Sequence, residues 1–331
     1  AAAAEGAGKH EDLAAAYDTA IEAGALGEED VAQLSERVAE IYDVILGTPA
    51  KAEKHHKRVL QHDPLHDRAF FSLKELYTNA ERWDDLQVIY RNRIAETLDD
   101  EAKLELLLQV CFLFEEILDD ADLAIRSYQE VLELSPDHAP TRRALERLFR
   151  RSERWRDLVA LLRQDLDAED DDQKRLELTY EIGELHEKNL QEPSAAVDQY
   201  EMVLETNPTH LKAQQSLERL IDVAEQRQRI AAILEPLYES QGAWQDFARI
   251  LEIQLEAVTD PAGQVALLTR LGELYESHIH DLDRAFQAFA RAVLADPEDV
   301  PAREQLQAEL HSAWRACSTG RPAIRPPATW K

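Results

Sequence analysis

The chain repeats itself. "AIRSYQEVLELSP" at 124–136 returns 72 residues later as "AVDQYEMVLETNP" at 196–208. An alanine, the residue four later and a proline twelve later fall at Ala52, His56 and Pro64, at Ala124, Tyr128 and Pro136, at Ala196, Tyr200 and Pro208, and at Ala285, Phe289 and Pro297, in steps of 72, 72 and 89. A fixed period of this size marks units that bury their apolar faces against their neighbours rather than around one central core.

Seventeen residues before each His56-type position stands a small residue that opens a second phrase: "AEIYD" at 39, "CFLFE" at 111, "GELHE" at 183 and "GELYE" at 272. Two antiparallel helices need a small residue where their backbones come closest and bulky apolar residues at helical spacing around it. Ala39, Cys111, Gly183 and Gly272 meet the first need, and Ile182, Leu185, Tyr200, Val203 and Leu204 the second. Pro208 ends the second helix because its ring cannot continue one. A further hairpin fills the rest of each unit. "LKELY", "LERLF" and "LERLI" follow Pro64, Pro136 and Pro208 by nine residues, and return helices open at "WDDL" 83, "WRDL" 155 and "WQDF" 244. Each 72-residue unit then holds four helices of about 18 residues with their turns.

These phrases resemble the tetratricopeptide repeat, whose pattern is W-x2-L-G-x2-Y, then A-x3-F, then P. The chain has Ile182, Gly183 and His186, and Leu271, Gly272 and Tyr275, each followed by the alanine, aromatic and proline above. The family's first tryptophan is replaced by Thr179, and the turn before the alanine is one residue longer. The resemblance implies an all-α, right-handed α-solenoid of antiparallel helix hairpins that acts as a scaffold or adaptor. We read the array over 1–311, with an extra helix near 224–241 kinked at Pro236, and a basic, proline-rich, disordered tail over 312–331.

Charge narrows the partners. With 66 acidic against 37 basic residues the net charge is -29, which repels a phosphate backbone. The run Arg142, Arg143, Arg147, Arg150, Arg151, Arg154 and Arg156 forms a local basic patch that points the other way. No apolar run is long enough to span a membrane. Cys111 and Cys317 are too few for a disulfide framework, so a cytoplasmic setting is expected. Cys111 fills a small-residue place and reads as a buried thiol. No nucleophile motif, phosphate loop or metal-ligand phrase occurs, so no catalytic residue, metal or cofactor is assigned. His62 and His66 have i, i+4 spacing but are separated by Pro64. Trp83, Trp155 and Trp244 read as hairpin core, and the acidic runs at 97, 165 and 257 as helix caps.

In arrays of this family the first helix of each hairpin lines the concave face. One residue after the small residue stand Glu40, Phe112, Glu184 and Glu273; four after it stand Asp43, Glu115, Glu187 and Glu276. These eight form the expected site, an acidic ladder for a basic or amphipathic segment of another protein, bound more weakly as salt rises. The competing reading is a regulatory or substrate-recruiting arm of a larger enzyme whose catalytic part lies outside this chain.

Overall fold

The computed structural model describes residues 2–223 and 225–308. The tail expected over 312–331 lies outside the described residues. Among the described residues every regular element is helical. The contacts divide them into two compact units at the Arg154–Trp155 bond. The first holds α1 (Ala2–Glu22), α2 (Glu28–Glu40), α3 (Pro49–His62), α4 (Asp67–Asn79), α5 (Trp83–Glu96), α6 (Asp100–Phe112), α7 (Ala121–Leu134) and α8 (Ala139–Arg151). The second holds α9 (Trp155–Ala168), α10 (Asp172–Leu185), α11 (Pro193–Thr206), α12 (Leu211–Leu220), α13 (Arg227–Gln241), α14 (Trp244–Ala257), α15 (Pro261–Leu274) and α16 (Leu282–Ala295). Within each unit the packed helices are consecutive in sequence, α2 on α3, α6 on α7, α10 on α11, α15 on α16, as in an α-solenoid of hairpins.

The acidic runs cap helices as expected: Asp99, Asp171 and Asp260 accept hydrogen bonds from the first-turn amides of α6, α10 and α15. His66 and His210, two repeats apart, cap α4 and α12 through Nδ1, whereas Nδ1 of the intervening His138 lies 2.8 Å from the Thr141 hydroxyl instead. The helices before Pro64, Pro136, Pro208 and Pro297 stop one or two residues short of the proline.

Each small residue sits at the closest approach of its hairpin. Ala39 and Cys111 are fully buried. A Cβ on Gly183 would lie 2.7 Å from the Tyr200 ring, and one on Gly272 2.5 Å from the Phe289 ring. The longer turn of these hairpins also has a physical form. After α2, α6, α10 and α15 the chain winds through one π-helical turn, at Ile41–Ile45, Leu113–Ile117, His186–Leu190 and Tyr275–Ile279. Wider i to i+5 hydrogen bonds, such as Leu118 N to Leu113 O at 3.0 Å, absorb the added residue. Past each π turn one residue takes a left-handed conformation: Gly47, Asp119, Gln191 and His280.

The break before Trp244 is filled by α13, whose helical hydrogen bonding spans Pro236. Leu234, Leu237 and Tyr238 precede Trp244 by 10, 7 and 6 residues, the spacing of Leu145, Leu148 and Phe149 before Trp155. α13 is therefore the hairpin partner of α14, and the shortened α12, packed between α11 and α13, is the inserted member.

Candidate functional site

The four carboxylates expected at the fourth position have unequal fates. Glu115 is buried; the Tyr128 hydroxyl donates to it at 2.7 Å and Arg147 at 2.5 Å. Burial pushes Glu115 up, and the Arg147 and Tyr128 hydrogen bonds outweigh it, holding the pKa below the usual carboxylate range. Glu187, half-buried, accepts from Tyr200 at 2.6 Å and from Arg219 at 3.2 and 3.3 Å. Burial and these carboxylates raise both tyrosine pKa values, keeping the hydroxyls as donors. Asp43 accepts from Ser72 at 2.8 Å and lies 3.2 Å from His56 Nε2. Asp43 stands between the hydroxyl and the imidazole, so this trio lacks the hydroxyl-to-imidazole contact of a nucleophile–base pair.

In sequence the aromatic partner is 13 residues past the glutamate and the arginine 32. Those counts lead from Glu276 to Phe289 and Ala308, which offer neither group, and Glu276 is exposed. Asp43, Glu115 and Glu187 thus fasten the π-helical turns to the next helices of their own chain, and are not the free carboxylates the sequence suggested.

At the first position, Glu40 pairs with Arg68 at 3.1 Å, Glu184 with Lys188 one turn along, and Glu273 accepts from Gln305 at 3.0 Å. Phe112 is 58% exposed among the described residues. It lines an open groove of about 470 Å³ in the first unit, between α4 and α6 and floored by α5. Trp83, Leu86, Leu108, Leu113 and Ile117 supply the rest of the apolar wall. On one side the Gln109 carbonyl accepts from the Tyr90 hydroxyl at 2.8 Å and from Lys74 at 2.9 Å.

Glu101 and Glu105 stand exposed one turn apart on α6, and Glu116 is exposed in the π turn that follows; none has an ion-pair partner among the described residues. Sequence reading missed this rim and groove. The signal available was Phe112, the one residue of the eight that is not a carboxylate.

The other candidates resolve into structural work. Arg147, Arg151 and Arg154 pair with Glu115, Asp119 and Asp122, Arg150 with Glu146, and Arg156 with Glu192, so the basic run is largely neutralised in place. Trp83, Trp155 and Trp244 open α5, α9 and α14 and are half-buried, Trp244 packing against the core of the second unit, so they sit at the edge of the hairpin core and not at its centre. Cys111 is buried and its thiol is pushed up to about 12 by desolvation. Among the described residues no grouping could hold a metal ion, and no helix is long and apolar enough to cross a membrane.

Residues 141–176, from α8 through α9 into α10, match the family model of the tetratricopeptide repeat. That stretch carries the repeat in an all-α, helical-repeat chain. The match falls on a stretch that the sequence marks by periodicity alone. Solved structures similar to the chain include a tetratricopeptide-repeat protein from Cytophaga hutchinsonii, at 14% identity over 83% of this chain and 99% of that one, with a TM-score of 0.31. The P58(IPK) tetratricopeptide domain is 16% identical over 95% and 99%, with a TM-score of 0.27. The Naa15/Naa10 complex bound to HypK-THB gives 15% over 94% and 62%, with a TM-score of 0.35. No curated protein matches the chain.

Proposed function

We propose that the chain is a protein-interaction scaffold that docks a basic, amphipathic segment of another protein on the first helices of its hairpins, with the α4–α6 groove as the main seat. One observation carries this: an open apolar groove beside the unpaired carboxylates Glu101, Glu105 and Glu116, in a chain of net charge -29. Apolar side chains of such a segment would fill the groove, and its lysines or arginines would face the acidic rim. The action is binding without catalysis, and we place it in the cytoplasm, where Cys111 stays reduced. The opposing net charge argues against nucleic acid as the main ligand.

The test uses a labelled 16-residue helical probe, leucine and phenylalanine on one face and lysine on the other, followed by fluorescence anisotropy. Binding should weaken steeply between low and high salt and with Glu101, Glu105 and Glu116 changed together to Gln. A probe with glutamate in place of lysine binding equally well, or affinity indifferent to salt, would refute the reading.

A further inference from the structure

The second unit contains a counterpart of the groove, which its own side chains occupy. An offset of 161 residues carries Lys74, Thr78, Trp83, Leu86 and Gln109 onto Glu235, Glu239, Trp244, Phe247 and Arg270. Arg270 reaches across from α15 to α13, pairing with Glu235 and, at 3.1 Å, with Glu239. Its guanidinium lies 4.8 Å from the centre of the Phe247 ring, a cation–π contact that holds it against α14. Gln254 donates to the remaining Glu235 oxygen at 2.6 Å. His278, in the π turn after α15, stacks on Trp244 with ring centres 3.9 Å apart and planes 24° from parallel.

In the first unit the corresponding places hold Lys74, Thr78 and Gln109, which make one side-chain hydrogen bond across from α4 to α6, and Ile117 in the π turn. The two grooves share a backbone plan and differ in these polar side chains and in several lining residues besides, Phe112 and Leu108 being replaced by Glu273 and Thr269. A half-buried arginine that bridges two carboxylates and lies on an aromatic ring already fills the place a docked cationic side chain would take. We infer that the Glu235–Arg270–Glu239 bridge excludes a docked segment from the second unit, and that Lys74, Thr78 and Gln109 leave the first unit as the docking seat. The bridge itself shows the chemistry such a groove accepts: a cationic side chain whose flat head lies on the apolar floor and whose charge meets glutamates. The occupant is therefore the basic amphipathic helix of the proposed function, on which this inference rests.

Exchange of the three residues tests it, in the full chain with the same labelled probe. Lys74→Glu, Thr78→Glu and Gln109→Arg together transplant the bridge into the first unit and should weaken binding at least about tenfold. The circular-dichroism melting curve should keep its midpoint. The reverse exchange, Glu235→Lys, Glu239→Thr and Arg270→Gln, should open the second groove and raise the stoichiometry from one probe per chain to two. Unchanged affinity in the first variant with its fold intact would overturn the inference while leaving the docking reading standing. Should the first variant unfold, the second decides, and a stoichiometry that stays at one overturns the inference. A wild-type chain that binds no probe overturns both.

Discussion

The Tyr128 hydroxyl donates to Glu115 at 2.7 Å, and 72 residues later the Tyr200 hydroxyl donates to Glu187 at 2.6 Å. The repeat therefore conserves an internal fastening between a π-helical turn and the helix after it, completed by Arg147 or Arg219. Tyr128→Phe should lower stability by about 1–2 kcal/mol, since it takes one hydrogen bond from a buried carboxylate. Glu115→Ala should cost more, because it removes the one carboxylate that Tyr128 and Arg147 share. Urea unfolding of the single and double variants checks this: the two costs should fall short of additive, as for groups in one network. The fourth unit is a natural control. Phe289 replaces the tyrosine there and Glu276 is exposed, so Glu276→Gln should change stability by less than about 0.5 kcal/mol.

The residue past each π turn is left-handed, at φ 61° for Gly47, 50° for Asp119, 56° for Gln191 and 59° for His280. One of the four is glycine, the residue that adopts this conformation without a Cβ clash. Gln191→Gly should stabilise the second unit by about 0.5–1 kcal/mol, and Gly47→Val should destabilise the first by more. Thermal melting of each variant decides the sign.

Much of the fold was legible because hairpin packing writes itself into residue size. Gly183 and Gly272 must be small to admit Tyr200 and Phe289, and Pro208 must follow a helix end. The π turns were visible only as one residue too many, since i to i+5 winding has no residue signature of its own. The site was half-legible for a related reason. Spacing places Glu115 and Glu187 on the right helices, but whether a carboxylate meets solvent or a tyrosine depends on residues 13 and 32 positions away. The insertion was seen, yet its identity was not: α12 and α13 both carry the leucine phrase of a first helix, and only the packing of α13 on α14 shows which one completes the hairpin.

Gly272 faces Phe289 so closely that an added Cβ would lie 2.5 Å from Cε1 and 2.6 Å from Cζ of the ring. The Phe289 and Tyr200 rings opposite glycines are fully buried, whereas Tyr128, opposite Cys111, is only half-buried. Gly272→Ala should therefore destabilise by about 1–3 kcal/mol through overpacking, although alanine is the better helix former. Adding Phe289→Leu should recover part of the loss, and equal losses in the single and double variants would show that the ring is not the obstacle.

His55 gives the N-terminal hairpins a pH dependence. Its imidazole on α3 is fully buried, 3.1 Å from Asp18 of α1, and stacks on Tyr42 with ring centres 6.1 Å apart. Burial lowers its pKa to about 4; Asp18 opposes the shift, and Lys54, Arg58 and His56 add to it. His56 is lowered in the same direction by burial, against Asp43. The folded chain thus holds a neutral His55, whereas the unfolded chain takes up a proton near pH 6.5. Between those values the unfolded state binds more protons, so the stability that His55 contributes is complete above about pH 6.5 and is lost as pH falls toward 4. The shift corresponds to about 3 kcal/mol over that window. His55→Phe keeps the ring volume and removes the proton site. The free energy of unfolding of the wild type, measured relative to this variant, should fall steadily from pH 7 to pH 4.5, and a difference that stays flat would mean that His55 is charged in the folded hairpin.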